Sequence, residues 1–219
     1  IKKGDEIIIP AHTYCASAIP FARNGAKIIW ADINKDRIID ITDIKKKITK
    51  KTKAIVVVHL YGFCVDVEKI RKKINKKIKI IEDCAQAFGS MINGKMAGTI
   101  SDYGCFSFHS QKNITTLGEG GAIYVRNVLE ANKIPGLRHN GHSNFSLTRK
   151  EYWLPAMGNL SEDLKEKWPF KFTLSEIQCA AGILGLKKVN QYNQIRINRA
   201  KKFTKQLTNI QELEFTKYF

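Results

Sequence analysis

The 219-residue chain contains no uninterrupted apolar run approaching the roughly eighteen residues that a membrane span requires. It also has no charged start followed by an apolar block of the secretory kind. No membrane partner is expected, and a cytoplasmic location is. There is no C-x-x-C pair: Cys15, Cys64, Cys84, Cys105 and Cys179 are odd in number and far apart, which argues against zinc or a redox site. No metal is expected, and the thiols are expected to be free and buried. Acidic residues are scarce, 20 against 37 lysines and arginines, and the formal net charge is +17. Such an excess suits an anionic partner. The lysines, however, lie in helix-like runs (Lys45-Lys46-Lys47, Lys50-Lys51, Lys72-Lys73, Lys76-Lys77) without interleaved aromatics to stack bases. A solvated surface is therefore expected, not nucleic-acid binding. An initial Met is lacking too: the chain opens on Ile1 and enters the apolar run Ile7-Ile8-Ile9 at once, as if it began inside a fold with a segment upstream.

With 43% hydrophobic residues, the chain can bury one sizeable core. Short apolar runs alternate with amphipathic stretches between residues 5 and 126, the pattern of strands joined by crossover helices in a largely parallel sheet. The fold class is α/β. Strands are predicted at Glu6–Pro10, Lys27–Asp32, Lys53–His59, Ile78–Glu82, Tyr103–Phe108 and Gly121–Val125. A first helix is predicted from an N-cap at Thr13 to Asn24-Gly25, and another from Asp66 to residue 76. Asn93-Gly94 reads as a hairpin turn. The stretch Asn140 to Phe170 reads as a long excursion carrying Trp153 and Trp168. Ile177, Ala181 and Leu184 share a helical face from Leu174 onward, and a second helix is predicted from Asn190 to Thr208.

Two elements carry chemistry. The run Ile78-Lys79-Ile80-Ile81 ends in Glu82-Asp83, and acidic groups at the carboxyl end of a parallel strand lie where open α/β sheets bind ligands. An N-cap or a surface acid is the plainer reading of Asp83 alone. The aromatic strand Phe106-Ser107-Phe108 delivers Ser107, Ser110 and Lys112 into a loop before Leu117-Gly118-Glu119-Gly120-Gly121, whose glycines allow backbone to approach a ligand. A lone loop lysine is otherwise an ordinary surface charge. Together they meet the needs of a pyridoxal-phosphate (PLP) site: a lysine amine for a Schiff base, a carboxylate for the pyridine nitrogen, and hydroxyl donors for the phosphate.

Five motifs in order extend this pattern: Gly4-Asp5-Glu6 with Pro10-Ala11-His12-Thr13-Tyr14; Val58-His59-Leu60-Tyr61-Gly62; Glu82-Asp83-Cys84-Ala85-Gln86; Phe106-Ser107-Phe108 to Lys112; and Gly118-Glu119-Gly120-Gly121. The chain resembles the DegT/DnrJ/EryC1/StrS aminotransferase family, including the 29-residue step from Asp83 to Lys112. The resemblance implies a type I PLP-dependent transferase fold with a mostly parallel seven-stranded sheet. Residues 1–190 would form the large cofactor domain, and 191–219 a connecting helix and the start of a small carboxyl-terminal domain that is largely missing. It implies amino transfer, typically from glutamate, to a keto sugar linked to a nucleotide, by a homodimer with shared sites. Lys112 would carry the cofactor, Asp83 would pair with its ring nitrogen, Gln86 would reach its phenolic oxygen, Ser107 would hold its phosphate and Tyr14 would stack on its ring.

His59 and Tyr61 would line the substrate pocket, a structural histidine being the alternative for His59. Arg138, His139 and His142 lie where the family has Arg-Asn-His-Gly, whereas the order here is Arg138-His139-Asn140-Gly141; His142 is a candidate substrate residue. Lys171 stands where relatives carry an asparagine that reaches the neighbouring subunit's cofactor phosphate; a lysine could meet that phosphate as a point charge, the equal alternative being that the contact is lost or made by another residue. The family also places a small-residue turn upstream of Gly4 to hold that phosphate at a helix N-terminus, and its small domain lies beyond Phe219. The 219 residues alone are therefore expected to retain PLP weakly. A sugar dehydratase, a branch that replaces the Schiff-base lysine by histidine, is the runner-up that Lys112 opposes. A non-catalytic regulatory protein is the reading from another class, and it has no need of that lysine.

Overall fold

The structure, a computed structural model, describes residues 1–142, 164 and 167–215. The elements run β1 (Glu6–Pro10), α1 (Ile19–Arg23), β2 (Lys27–Ala31), α2 (Ile41–Lys47), β3 (Thr52–Val58), α3 (Val67–Arg71), β4 (Lys79–Asp83), β5 (Met91–Ile92), β6 (Lys95–Met96), β7 (Tyr103–Ser107), β8 (Gly121–Val125), α4 (Val128–Ala131), α5 (Ile134–Arg138) and α6 (Glu176–Leu207). Six strands form one sheet in the order β2-β1-β3-β4-β7-β8, parallel except for β8. The α/β reading holds, and all six strands fall within one residue of their predicted limits. The described residues supply six strands to this sheet, one fewer than the seven implied.

Alternation along the strands explains how the sheet is covered. Ile8, Ile55, Val57 and Ile80 join Ile44 of α2 and Ile70 of α3 in one core, while Ile7, Ile9, Val56 and Val58 pack with Ala18 and Phe21 in another. Both faces of β1 and β3 are thus dry, and each fully buried isoleucine contributes about 1.5–3 kcal/mol. The chain leaves β1 toward β2 on one side and returns to β3 on the other. The strand order therefore reverses at the carboxyl ends of β1 and β3, the place where open α/β sheets bind ligands.

Some local expectations need correction. Thr13 caps no helix: residues Cys15–Ser17 form a 3₁₀ turn, and α1 starts later, with Pro20 in its first turn. The Thr13 hydroxyl instead pairs with that of Ser17 at 2.7 Å. Asp66 does cap α3 by accepting from the Lys69 N–H, but α3 ends at Arg71. The Asn93-Gly94 turn forms with both residues left-handed, at φ 50° and 73°. The two helices expected after Leu174 are one 32-residue helix, opened by a Ser175–Gln178 capping box. No proline or glycine between Lys188 and Gln194 interrupts it. Of the thiols only Cys84 is buried and Cys64 half-buried; Cys15, Cys105 and Cys179 are exposed, the last two on bare faces of β7 and α6. Trp153 lies outside the described residues.

Candidate active site

Asp83, Gln86, Ser107, Lys112, Tyr14, His59 and Tyr61 come at or after the carboxyl ends of parallel strands and so lie toward that edge of the sheet. Asp83 is the last residue of β4 and pairs in register with Cys105 of the adjacent β7. Its Oδ1 accepts from the Ala85 N–H at 3.0 Å, and its Oδ2 accepts from the Ser17 hydroxyl at 2.7 Å. Ser17 is buried, and Thr13 holds it from the other side. This Thr13–Ser17–Asp83 chain orients the carboxylate.

Lys112 sits near the tip of an extension of the β7–β8 hairpin. The Phe108 N–H donates to the Gly120 carbonyl and the Ser110 N–H to the Gly118 carbonyl, both at 2.8 Å, while Thr116 N–H returns to the Phe108 carbonyl at 3.0 Å. The glycines of the Gly118-Glu119-Gly120-Gly121 run let the two strands close: a Cβ on Gly121 would lie 2.6 Å from the Phe106 oxygen. Lys112 is half-buried, and among the described residues its amine meets no carboxylate. Ser107, at the end of β7, accepts from the His109 N–H at 3.3 Å, so its own proton is free to donate outward.

Gln86 spans two loops. Its Oε1 accepts from the Tyr61 N–H at 2.9 Å, which turns its amide NH₂ away as a donor. Tyr61 supplies that N–H from a left-handed conformation, φ 55°, and its ring is exposed beside His12. Tyr14 is exposed at the end of the extended stretch after β1.

His59 takes the structural role, not that of a substrate residue. It is fully buried, its Nδ1 accepts from the Val65 N–H at 3.0 Å, and its Nε2 lies 3.0 Å from Glu82 Oε2. The ring is therefore the Nε2-protonated neutral tautomer, donating to Glu82. Glu82 also accepts from the Gly98, Ile100 and Ser101 N–H groups. Burial works to raise its pKa, but the bonds from His59, Gly98 and Ser101 outweigh that and hold the carboxyl below the usual range. Cys84 completes a cluster whose ligand atoms all lie within 4.8 Å, but Glu82 and His59 are already satisfied, and burial pushes the Cys84 thiol well above its ordinary pKa. A metal would have to displace the bonds that hold loop 98–101.

His142 and Lys171 lie with another group. The 170–172 segment pairs with the end of α5: the Phe172 N–H donates to the Arg138 carbonyl and the Asn140 N–H to the Phe170 carbonyl. Lys171 is exposed, and the rings of its two chain neighbours, Phe170 and Phe172, stack on one another. His142 packs edge-on against His139, and its Nδ1 is buried without a partner among the described residues. Phe170, Phe172 and Arg138 help line a cavity of about 560 Å³ with Phe106 and Glu119–Ile123; none of Asp83, Gln86, Ser107 or Lys112 lines it. The sequence reading missed Ser17, and also Asn193 and Arg196 of α6, which reach the lysine loop.

A carboxylate fixed at a strand end, an unpaired amine on the neighbouring hairpin, an outward amide donor and a free hydroxyl fit the PLP donor set. The model of the DegT/DnrJ/EryC1/StrS aminotransferase family matches residues 1–218. The chain belongs to this family. It is 31% identical to the GDP-perosamine synthase of Vibrio cholerae over 212 residues, 96% of this chain and 53% of that protein. It is 40% identical over 144 residues to a UDP-N-acetyl-3-dehydro-alpha-D-glucosamine 3-aminotransferase of Acidithiobacillus ferrooxidans, 64% of this chain and 39% of that one. The solved E. coli GDP-4-keto-6-deoxy-D-mannose-3-dehydratase with bound hydrated PLP matches with a TM-score of 0.81 at 29% identity, covering 98% of this chain and 56% of its own. The chain thus spans about half the length of the relatives it matches. The fold of this DegT-family chain is that of the type I PLP-dependent enzymes.

Proposed function

We propose that the full-length protein is a PLP-dependent aminotransferase that moves an amino group from an amino acid, glutamate, to a keto sugar carried on a nucleotide. The observation that carries this reading is that adjacent strands β4 and β7 deliver a hydroxyl-anchored Asp83 and, in the loop that follows β7, Lys112, whose amine meets no carboxylate among the described residues. Curated relatives named for GDP-, UDP- and dTDP-sugar amination support the substrate class.

Lys112 would carry the cofactor and, once freed, move the substrate proton as general base and acid. Asp83 would keep the ring nitrogen protonated, Gln86 would donate its NH₂ to the phenolic oxygen, Ser107 would donate to the phosphate, and Tyr14 would cover the ring. Bound there, PLP would supply an electron sink for the pair released when the substrate carbon loses its proton. Tyr61, whose ring is exposed, would meet the substrate. A sugar dehydratase is the second reading, favoured by the likeness to the solved 3-dehydratase; the lysine at position 112 stands against it. The assembly would be a cytoplasmic homodimer with shared sites, Lys171 serving the neighbouring cofactor's phosphate.

Borohydride reduction of the PLP-loaded full-length protein followed by peptide mapping tests the reading. The phosphopyridoxyl label is expected on Lys112. A label on another lysine, or on none, would overturn it.

A further inference from the structure

Helix α6 joins the two loops of the site at Asn193. Asn193 donates from Nδ2 to the Phe88 carbonyl at 3.0 Å, and its Oδ1 accepts from the Asn113 amide at 3.2 Å. Phe88 closes the loop that begins at Asp83 and contains Gln86; Asn113 is the residue after Lys112. Arg196, one turn along α6, donates to Asn193 Oδ1 at 3.2 Å and to the Asn113 carbonyl at 3.4 Å. The fit at this point is close. Gly89 is left-handed at φ +85°, and a Cβ there would lie 2.9 Å from Asn193 Nδ2. Farther back on the helix, Gly185 lets the same loop approach: a Cβ would meet Ile114 at 2.9 Å.

We propose that Asn193, backed by Arg196, is a positioning residue that fixes the separation of the Asp83–Gln86 loop from the Lys112 loop. A PLP site needs the carboxylate and the amine at opposite ends of one small ring, so slack between two loops on different strands would misplace either group. A single carboxamide is suited to the task because it presents a donor to one loop and an acceptor to the other. The proposal rests on the function proposed above, but the link between the loops can be measured without it.

The test uses the full-length protein and three variants: Asn193→Ala, Asn193→Asp, and Asn198→Ala. Asn198 is exposed on the same helix, and among the described residues its side chain bonds only to Gln194, so its variant controls for damage to the helix. In cofactor-free protein, amide exchange in residues 84–89 and 108–116 is expected to quicken about tenfold in Asn193→Ala, with β1 and β3 unchanged. Asn193→Asp keeps the acceptor for Asn113 and Arg196 but sets an oxygen against the Phe88 carbonyl. Its exchange is expected to rise in 84–89 and not in 108–116. In PLP-loaded protein, the pH midpoint of the cofactor's visible absorbance is expected to move by about half a unit or more in Asn193→Ala and not in Asn198→Ala. Wild-type exchange in both loops, a uniform loosening of the whole sheet, or an unmoved midpoint would overturn the proposal. If the wild-type protein takes up no PLP on Lys112, the functional reading fails and the exchange measurements alone decide the positioning role.

Discussion

At the scale of single residues, the carboxylates Glu82 and Asp83 are neighbours with opposite tasks. Glu82 points into the fold and is spent on His59 and loop 98–101; Asp83 points to the site and is held by Ser17. Asp83→Asn should cut amino transfer roughly a thousandfold or more, since the amide cannot hold a ring proton, while Lys112 still takes the borohydride label. Ser17→Ala should cost about tenfold, the worth of one bond to a charged group. Half-transamination with glutamate measures both, and a Ser17→Ala enzyme at full rate would show that the carboxylate needs no anchor. Glu82→Gln would set donors against the Gly98 N–H and the His59 Nε2–H, costing about 2–4 kcal/mol of stability at pH 7. Because the folded pKa of Glu82 lies below its ordinary 4.5, its contribution is fully present above that value and is lost as pH falls through the folded pKa. Urea unfolding curves of wild type and variant should therefore converge in acid. Asp83 and Lys112 were legible in the sequence because strand end and strand-to-glycine loop are local patterns. Ser17 and Asn193 were not, because their partners lie 66 and 80 residues away and nothing local marks a serine or a helical asparagine as a long-range contact.

At the scale of elements, β1 and β3, buried on both faces, announced themselves as apolar runs, which is why their limits were legible. Helices were harder. The helix after β1 is divided at Ala18, with a 3₁₀ turn before it and α1 after it, whereas α6 continues past Asn190 because helix propensity there is never contradicted. The sharpest constraint belongs to β7. A Cβ on Gly104 would lie 1.8 Å from the Gly98 carbonyl oxygen and 2.7 Å from its Cα. Loop 98–101 cannot yield, since its N–H groups donate to Glu82 and its carbonyls accept from Arg126, at 2.8 Å for Ser101. Gly104→Ala is therefore expected to destabilise the protein by about 3 kcal/mol or more. Denaturant unfolding checks it, and a loss under 1 kcal/mol would mean that the loop moves more freely than its bonds imply.

At the scale of the whole molecule, the +17 charge is ordinary helix chemistry where it can be traced: Lys45, Lys46 and Lys47 occupy the last turn of α2, where cations suit the helix dipole, and Lys47 pairs with Asp43 at 2.8 Å. The apolar surface is less ordinary. Trp168 is 91% exposed, Phe172 and Ile177 are each at least 70% exposed, and the stacked Phe170 and Phe172 border the large cavity beside Lys171. Apolar area of this kind marks a surface that is normally covered. In the proposed homodimer the partner would cover it, and Lys171 would cross to the neighbouring cofactor. Chains carrying Lys112→Ala and chains carrying Lys171→Ala should each be weak alone, the first lacking the amine and the second the phosphate contact. After subunit exchange, a random mixture holds half heterodimers with one of two sites intact, so activity should recover to about a quarter of wild type. Differently tagged chains establish that exchange has occurred. Exchange without recovery would remove Lys171 from the site and leave the apolar surface as packing alone.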